Sequence, residues 1–139
     1  MTPYLHTVHY HETDKMGIAH HANYIKWMEQ ARIDYLRQLG FGYASLEAEG
    51  IVSPVTALSV RYASPVTFED SVAVTVCVAA YSGVQLTLCY SGTNAADGRQ
   101  VFTAKSSHCF LGASGRPARL AKLHPAFHAA LQKEAAQSE

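Results

Sequence analysis

The sequence has few cysteines, no excess of either charge and no long apolar run. Its cysteines, Cys77, Cys89 and Cys109, are widely spaced and form no Cys-x-x-Cys pair. We therefore expect no disulfide framework, and we interpret the protein as one of a reducing compartment. Because the cysteines lie within strand patterns, we expect them to be buried like small apolar residues.

Charge and hydropathy argue against a nucleic-acid-binding protein and against a membrane-spanning one. The 11 basic and 11 acidic residues give a formal net charge of +0, whereas proteins dominated by nucleic-acid binding usually carry a basic excess. No apolar run approaches the roughly 20 residues that span a bilayer, and the first residues lack the charged and apolar regions of a secretory signal. We expect a cytoplasmic protein with no membrane span and no nucleic-acid partner.

The length and composition are those of one ordinary globular domain. With 48% hydrophobic and 16% charged residues, a chain of this kind buries about two thirds of the surface of its unfolded state. We expect a single domain over residues 1–139, with a short helical tail at about 124–137. The sequence shows no repeat, low-complexity tract or linker.

Apolar periodicity predicts one long helix and then a run of strands. From Tyr24 to Leu39, apolar side chains recur at spacings of three and four, and Gly40 is a suitable end for the helix. The charged residues mostly off this apolar stripe are Lys26, Glu29, Arg32 and Arg37. From Ile51 onward the period becomes two, which is typical of strands.

The predicted elements are strands over residues 4–10, 52–63, 72–79, 84–93 and 99–111, short helices over 43–49 and 125–137, and an irregular basic stretch over 116–123. The strand over 52–63 is expected to be broken or bulged near Pro54. One long helix followed by antiparallel strands is typical of an α+β fold in which the helix covers one face of a curved sheet.

One stretch of a dozen residues, from Thr13 to Tyr24, combines groups that can build an active site. Asp14 supplies a carboxylate, Gly17 a turn, and the long helix begins about eight residues after Asp14. Free backbone amides at a helix N-terminus can stabilise a developing oxyanion. Asp14 therefore has two interpretations: a loop aspartate that stabilises the turn ending at Gly17, or a nucleophile or general base that faces the helix amides.

Histidines raise a second hypothesis for the same region. His9, His11, His20 and His21 are four imidazoles within 13 residues, so a metal site is considered. However, no His-x-x-x-His or cysteine partner accompanies them, and adjacent histidines do not readily bind one ion. A histidine pair at the start of a helix is more often a packing or capping feature, and we assign no metal ligand.

Other residues have structural interpretations that compete with functional ones. Asn23 either caps the long helix or orders the loop and contacts substrate. Glu12 is interpreted as solvated or paired with a nearby base, and Glu69-Asp70 as a turn that leads into a strand. The aromatic residues of the helix are interpreted as core: Tyr24, Trp27 and Tyr35.

Two motifs carry a resemblance to a known family. The first is Val8-x-Tyr10-x-Glu12-Thr13-Asp14-x-Met16-Gly17-x-x-His20-His21-x-Asn23-Tyr24, followed by Trp27, Glu29, Ala31 and Arg32. The second is Arg61-Tyr62-x-x-Pro65-Val66-x-Phe68-x-Asp70. Together they resemble the 4-hydroxybenzoyl-CoA thioesterase family of hot-dog-fold proteins, over about residues 4–123.

The resemblance implies an antiparallel sheet wrapped around a helix at residues 22–39, and homodimers or homotetramers with active sites at subunit interfaces. It implies an acyl-CoA thioesterase that needs no metal or cofactor. Asp14 matches the family's catalytic carboxylate, a nucleophile or general base, and the backbone amide of His21 matches the group that polarises the thioester carbonyl. The residues assigned to substrate binding on this resemblance are Gly17, His20, Asn23, Tyr24 and Arg61.

Basic residues are expected to meet the phosphates of CoA. The candidates, each of which has a plain solvated charge as its alternative, are Arg61, Arg99, Lys105, Arg116, Arg119 and Lys122. Two other functions stay open: another hot-dog thioester enzyme such as a hydratase or dehydratase, and a non-catalytic acyl-CoA-binding or assembly module. The acyl group, whether aromatic, short or long, is not specified by the sequence.

Overall fold

A computed structural model of the chain describes residues 1–137. Its elements in chain order are β1 (Tyr4–Thr7), a 3-10 turn (Tyr10–Glu12), α1 (Asn23–Leu39), α2 (Tyr43–Ala48), β2 (Val55–Tyr62), β3 (Ser71–Tyr81), β4 (Gln85–Asn94), β5 (Gln100–Cys109), α3 (Leu120–Leu123) and α4 (Pro125–Gln137). The strands form one five-stranded antiparallel sheet in the order β1-β3-β4-β5-β2. The α+β class is therefore confirmed. Within residues 1–137, each helix is too short or too polar to cross a bilayer.

Several predicted elements have different ends in the structure. The first strand ends at Thr7, three residues before its predicted end, and Tyr10 at that predicted end belongs to a 3-10 turn. The strand predicted over residues 52–63 begins only at Val55, after a proline that cannot donate to a strand ladder. The stretch 116–123 is not wholly irregular, since it contains α3.

The chain divides into two compact units. The first comprises residues 1–35, 60–76 and 90–104, and the second comprises residues 36–59, 77–89 and 105–139. The single domain over residues 1–139 stays a prediction.

The first unit buries the apolar stripe of α1 predicted from periodicity. Tyr24, Trp27 and Tyr35 are no more than 5% exposed, which confirms them as core. Arg32 had been assigned to the polar side of the helix, but it is only 7% exposed and donates to the Tyr90 hydroxyl at 3.1 Å. The strand and loop residues of this core are Val8, Val66, Val72, Val74, Tyr90, Val101 and Phe102.

The second unit has a core of its own. Phe127 of α4 stacks on Phe41 at a ring-centroid distance of 4.8 Å and meets Phe110 edge-on at 5.8 Å. Pro125 is the first residue of that helix, where its missing N–H costs no hydrogen bond. The other buried apolar residues of this unit include Leu46, Ile51, Val78, Leu86, Leu88, Leu120 and Leu131.

The cysteines contradict both expectations made for them. Cys77 and Cys89 form a disulfide between β3 and β4, with a Cα–Cα distance of 5.3 Å. Cys77 is exposed, while Cys89 and the free Cys109 are half-buried, so none is a buried apolar residue. Wide spacing in sequence was a poor guide, because a hairpin brings residues of neighbouring strands within bonding distance.

Candidate functional site

A cavity in the first unit joins the Asp14 loop to the start of α1. Its volume is about 310 Å³. The walls come from the loop after the 3-10 turn, the first turn of α1, and the end of β2 with the residues that follow it. The lining residues are Asp14, Met16, Ile18, Ala19, His21, Tyr24, Tyr62, Ala63, Ser64 and Pro65.

Asp14 stabilises its own loop with one carboxylate oxygen. Its Oδ1 accepts the N–H of Met16 at 2.8 Å, and its backbone oxygen accepts the N–H of Gly17 at 2.9 Å. Gly17 has φ +78°, a left-handed conformation that glycine adopts without steric cost. Within residues 1–137 no protein donor pairs with Oδ2. The turn interpretation is therefore correct, and it leaves one oxygen of the half-buried carboxylate available for chemistry.

Glu12 anchors the segment that leads into this loop. Its Oε1 accepts the His9 N–H at 2.7 Å and the His6 Nε2–H at 2.8 Å, and its Oε2 accepts the Trp27 indole N–H at 2.7 Å. The side chain is only 5% exposed, so the solvated interpretation is wrong and the paired one is correct. Burial would raise the pKa of the Glu12 carboxyl, but these three hydrogen bonds outweigh it and hold the pKa below its usual value.

The backbone of the same residue ties the loop to the helix. The Glu12 carbonyl accepts the His20 N–H at 2.8 Å and the Asn23 side-chain amide at 2.9 Å. Asn23 therefore orders the loop instead of capping α1. Further along, the Ala19 N–H donates to the Val66 carbonyl at 2.8 Å. The Asp14 loop is thus held from both of its ends.

The turn that leads into α1 has a free donor at the cavity. The His20 Nδ1 accepts the Ala22 N–H at 3.3 Å, so its side chain stabilises the turn just before the helix. His21 lines the cavity, and among residues 1–137 its own N–H has no acceptor. The rings of His20 and His21 lie 4.3 Å apart between centroids.

The possible metal ligands that the structure brings together differ from those considered in the sequence. Among residues 1–137, the three side chains that converge are His6, His9 and Glu12, whose ligand atoms lie within 4.8 Å of one another. Both oxygens of the Glu12 carboxylate already accept protein donors. This arrangement favours a hydrogen-bonded cluster over an ion site.

Tyr62 was quoted in the second motif but assigned no role, and it lies in the cavity wall. Its hydroxyl donates to the His21 carbonyl at 2.9 Å, and its ring meets the Tyr24 ring edge-on at 4.9 Å. Burial raises the pKa of both hydroxyls. Repulsion from the negative charge of an ionised Tyr62 raises the pKa of Tyr24 further. The signal in the sequence was an aromatic residue at a strand end, just before the Pro65 turn.

Four of the residues assigned to substrate binding do not line the cavity, namely Gly17, His20, Asn23 and Arg61. Among the basic candidates, Arg61 and Arg99 belong to the same unit as the cavity. The Arg99 guanidinium donates to the carbonyl of Pro65, a lining residue, at 3.3 Å. The other four basic candidates are exposed on the second unit: Lys105, Arg116, Arg119 and Lys122.

The second unit has a cavity of about 290 Å³. Its lining is largely apolar and contains one carboxylate, that of the exposed Glu47. The lining residues are Tyr43, Leu46, Glu47, Ile51, Val52, Ser53, Pro54, Phe110, Leu111 and Phe127.

Comparison with known proteins points to one family. Residues 8–131 match the thioesterase-like superfamily. The chain is 36% identical over 127 residues, 91% of each protein, to a putative acyl-CoA thioesterase YneP of Bacillus subtilis. A 1,4-dihydroxy-2-naphthoyl-CoA hydrolase of Thermosynechococcus vestitus is 31% identical over 74 residues, 52% of this chain and 51% of the relative. The crystal structure of a DHNA-CoA thioesterase from Staphylococcus aureus superposes with a TM-score of 0.93 at 35% identity, covering 99% of this chain and 92% of that one.

Proposed function

Because this chain belongs to the thioesterase-like superfamily and has its hot-dog fold, we propose that it hydrolyses an acyl-CoA thioester to a carboxylic acid and CoA. The thioester hydrolase class agrees with the names of the relatives that match nearly its full length. The observation that carries the proposal is one cavity lined by the Asp14 carboxylate, by His21 just before α1 and by Tyr24 in the first turn of α1.

Attack on a thioester moves negative charge onto the carbonyl oxygen. The free N–H of His21, at the positive end of α1, is the group proposed to receive that charge. Donors in comparable oxyanion sites stabilise the transition state by about 3–4 kcal/mol. The unpaired Oδ2 of Asp14 is proposed to act on the carbonyl carbon from the same cavity.

Asp14 has two chemical routes. As a nucleophile, its carboxylate adds to the carbonyl carbon, the C–S bond breaks, CoA leaves as a thiolate that takes a proton, and water hydrolyses the acyl anhydride. As a general base, it takes a proton from water, the hydroxide adds to the carbonyl carbon, and the C–S bond breaks as the proton passes to sulfur. An acyl-aspartate trapped with hydroxylamine would identify the first route.

The phosphates of CoA are proposed to meet Arg99 and Arg61. Arg99 reaches the cavity rim through its hydrogen bond to the Pro65 carbonyl. Arg61 precedes the cavity residue Tyr62 on β2, and neighbouring strand residues face opposite sides of a sheet. Arg99 is therefore the better supported of the two.

A homodimer, which can pair further into a tetramer, is part of the proposal. β2 is an edge strand of the sheet, and seven of its eight residues are exposed. They include Val55, Leu58 and Tyr62, which are 41–48% exposed. An exposed edge with apolar side chains invites pairing with another strand. A second copy of this chain, paired through β2, is the proposed cover.

A cytoplasmic location stays a prediction. The widely spaced cysteines were one of its supports in the sequence, and the Cys77–Cys89 disulfide removes that support because cytosolic disulfides are rare.

The experiment that tests the function is thiol release from a panel of acyl-CoAs by wild type and Asp14→Asn. The panel includes aromatic, short-chain and long-chain members, with 1,4-dihydroxy-2-naphthoyl-CoA chosen because relatives bear its name. We expect the wild type to hydrolyse at least one member of the panel, and we expect that turnover to fall by about 10³-fold in Asp14→Asn. Release of no thiol by folded wild type, or a change in enoyl absorbance in its place, would overturn hydrolysis and favour the binding module or the hydratase.

A further inference from the structure

The peptide groups around His21 are held from two directions. On one side, the His20 carbonyl shares a peptide plane with the His21 N–H, and it accepts the Asn23 N–H at 3.0 Å. On the other side, the His21 carbonyl accepts the Tyr24 N–H in a long hydrogen bond of 3.3 Å. The short contact at this carbonyl is the one from the Tyr62 hydroxyl, at 2.9 Å.

Tyr62 comes from a different element and lies at the cavity. It is the last residue of β2, and its side chain lines the cavity that also contains Asp14. Its ring meets the His21 ring edge-on at 6.1 Å and the Tyr24 ring edge-on at 4.9 Å. Tyr24 is itself fixed by Trp27, at a centroid distance of 4.6 Å. The hydroxyl of Tyr62 is thus oriented by ring contacts with His21 and with Tyr24, which is buried against Trp27.

We propose that Tyr62 is a positioning residue for the oxyanion site: its hydroxyl holds the His21 carbonyl, and so orients the neighbouring His21 N–H toward the thioester carbonyl. This inference rests on the proposed thioesterase function. Tyr62 acts through the backbone of His21 and transfers no proton. The His21 N–H lies in the rigid peptide plane of the His20 carbonyl, and the His21 carbonyl lies in the next plane, which joins it at the His21 Cα. With the His20 carbonyl held by the Asn23 N–H and the His21 carbonyl held by Tyr62, the rotations about that Cα that would turn the His21 N–H away are restricted.

The protonation state of Tyr62 suits this role. Burial raises the pKa of its hydroxyl, so the group stays a hydrogen-bond donor throughout the neutral pH range. The His21 carbonyl lies in the turn just before α1, where a small rotation changes the direction of the free amide. Misplacement of a reacting group by about 1 Å can lower a rate by about 10²-fold.

The test compares Tyr62→Phe with Tyr81→Phe. Each variant removes one tyrosine hydroxyl and keeps the ring. Tyr81 donates to His128 Nδ1 at 2.6 Å in the second unit, away from any residue assigned to the site. On the panel's best substrate, Tyr62→Phe is expected to lower kcat about tenfold with KM within about twofold, less than the 10²–10³-fold loss of a direct oxyanion donor. Tyr81→Phe is expected to keep both constants.

Two readouts separate this inference from the function it rests on. Wild-type turnover and its loss in Asp14→Asn test hydrolysis itself. Amide resonances of His21 and Ala22 in ¹⁵N spectra test the positioning without turnover, and they are expected to shift in Tyr62→Phe and not in Tyr81→Phe. Unmoved resonances, an unchanged kcat, or a raised KM at constant kcat would each overturn the positioning role. Size-exclusion and thermal melts verify that both variants keep the wild-type assembly and fold.

Discussion

The two cavities of this chain are similar in volume and different in chemistry. The first-unit cavity, at about 310 Å³, contains the Asp14 carboxylate and the start of a 17-residue helix. The second-unit cavity, at about 290 Å³, is lined mostly by apolar side chains and the exposed Glu47. Volume alone would not choose between them. A candidate active site is recognised by a reactive side chain that lies beside a hydrogen-bond donor able to stabilise an oxyanion.

Filling each cavity in turn is expected to give the largest difference between the two units. Ala63→Trp places a large ring in the first cavity, and Val52→Trp does so in the second. We expect Ala63→Trp to lower kcat/KM by about 10²-fold, because the thioester can no longer reach its place beside Asp14, and Val52→Trp to stay within about twofold. Thiol release measures both, with melting temperatures as the control. Equal losses in both variants would mean that the second cavity also takes part.

The next prediction compares two glutamates, one in each unit. Glu12→Gln is expected to lower the free energy of unfolding by about 2–3 kcal/mol, because an amide N–H₂ would face donors that now meet a carboxylate. Glu49→Gln, whose partner His124 lies 3.3 Å away on the surface, is expected to cost less than about 1 kcal/mol. Denaturant melts at neutral pH provide the measurement. Similar losses in the two variants would contradict the anchoring role of Glu12.

The same carboxyl predicts a dependence of stability on pH. Its pKa is lower in the folded protein than in the unfolded chain, so its stabilisation is complete above the unfolded value of about 4.3. That stabilisation is lost as pH falls through the lower folded value. The wild type is therefore expected to lose more stability than Glu12→Gln between pH 6 and about pH 3. Parallel losses in the two proteins would exclude Glu12 as the titrating group.

A smaller effect is expected at the surface. Arg99→Ala is expected to raise KM about fivefold, roughly 1 kcal/mol of substrate binding, with kcat unchanged. Arg61→Ala is expected to raise KM less, and Lys133→Ala on α4 not at all. Steady-state kinetics at two salt concentrations make the comparison, because added salt weakens exposed charge pairs. A larger KM effect for Arg61 than for Arg99 would reverse their assignment.

The smallest effect on activity is expected from the disulfide. Denatured, unreduced protein is expected to expose one reactive thiol, that of Cys109, and reduction to expose all three cysteines. Turnover is expected to change less than about twofold, since both bonded cysteines belong to the second unit. Thiol counting with and without reductant checks this. Three thiols without reductant would restore the reduced state that the sequence predicted.

Local signals in the sequence predicted the helices best. The apolar stripe from Tyr24 and the stop at Gly40 gave α1 within a residue of its ends, and α4 was predicted as Pro125–Gln137, as it is. The spacing of apolar residues and the helix propensity of side chains depend on residues three or four positions apart, so a helix can be predicted from the local sequence. The proline rule also predicted a break near Pro54, and β2 begins directly after it, at Val55.

Features that depend on distant partners were not predictable in the same way. Arg32 is buried because the Tyr90 hydroxyl accepts its hydrogen bond, and that pairing requires the fold. The Cys77–Cys89 bond depends on the register of two strands. In the site, Asp14 was already a candidate from its own stretch of sequence, the resemblance selected it and added His21, and those roles stay predictions. Tyr62 was not assigned a role because its contact with the His21 carbonyl joins two distant segments.

The position of Glu12 has a practical consequence for mutational scanning. Its side chain and carbonyl together accept five hydrogen bonds from the segments on either side of the Asp14 loop. A library scored only by activity would therefore rank position 12 beside position 14, although Glu12 does not line the cavity. A second score for cellular abundance would separate them, with Glu12 variants depleted as protein and Asp14 variants present but inactive.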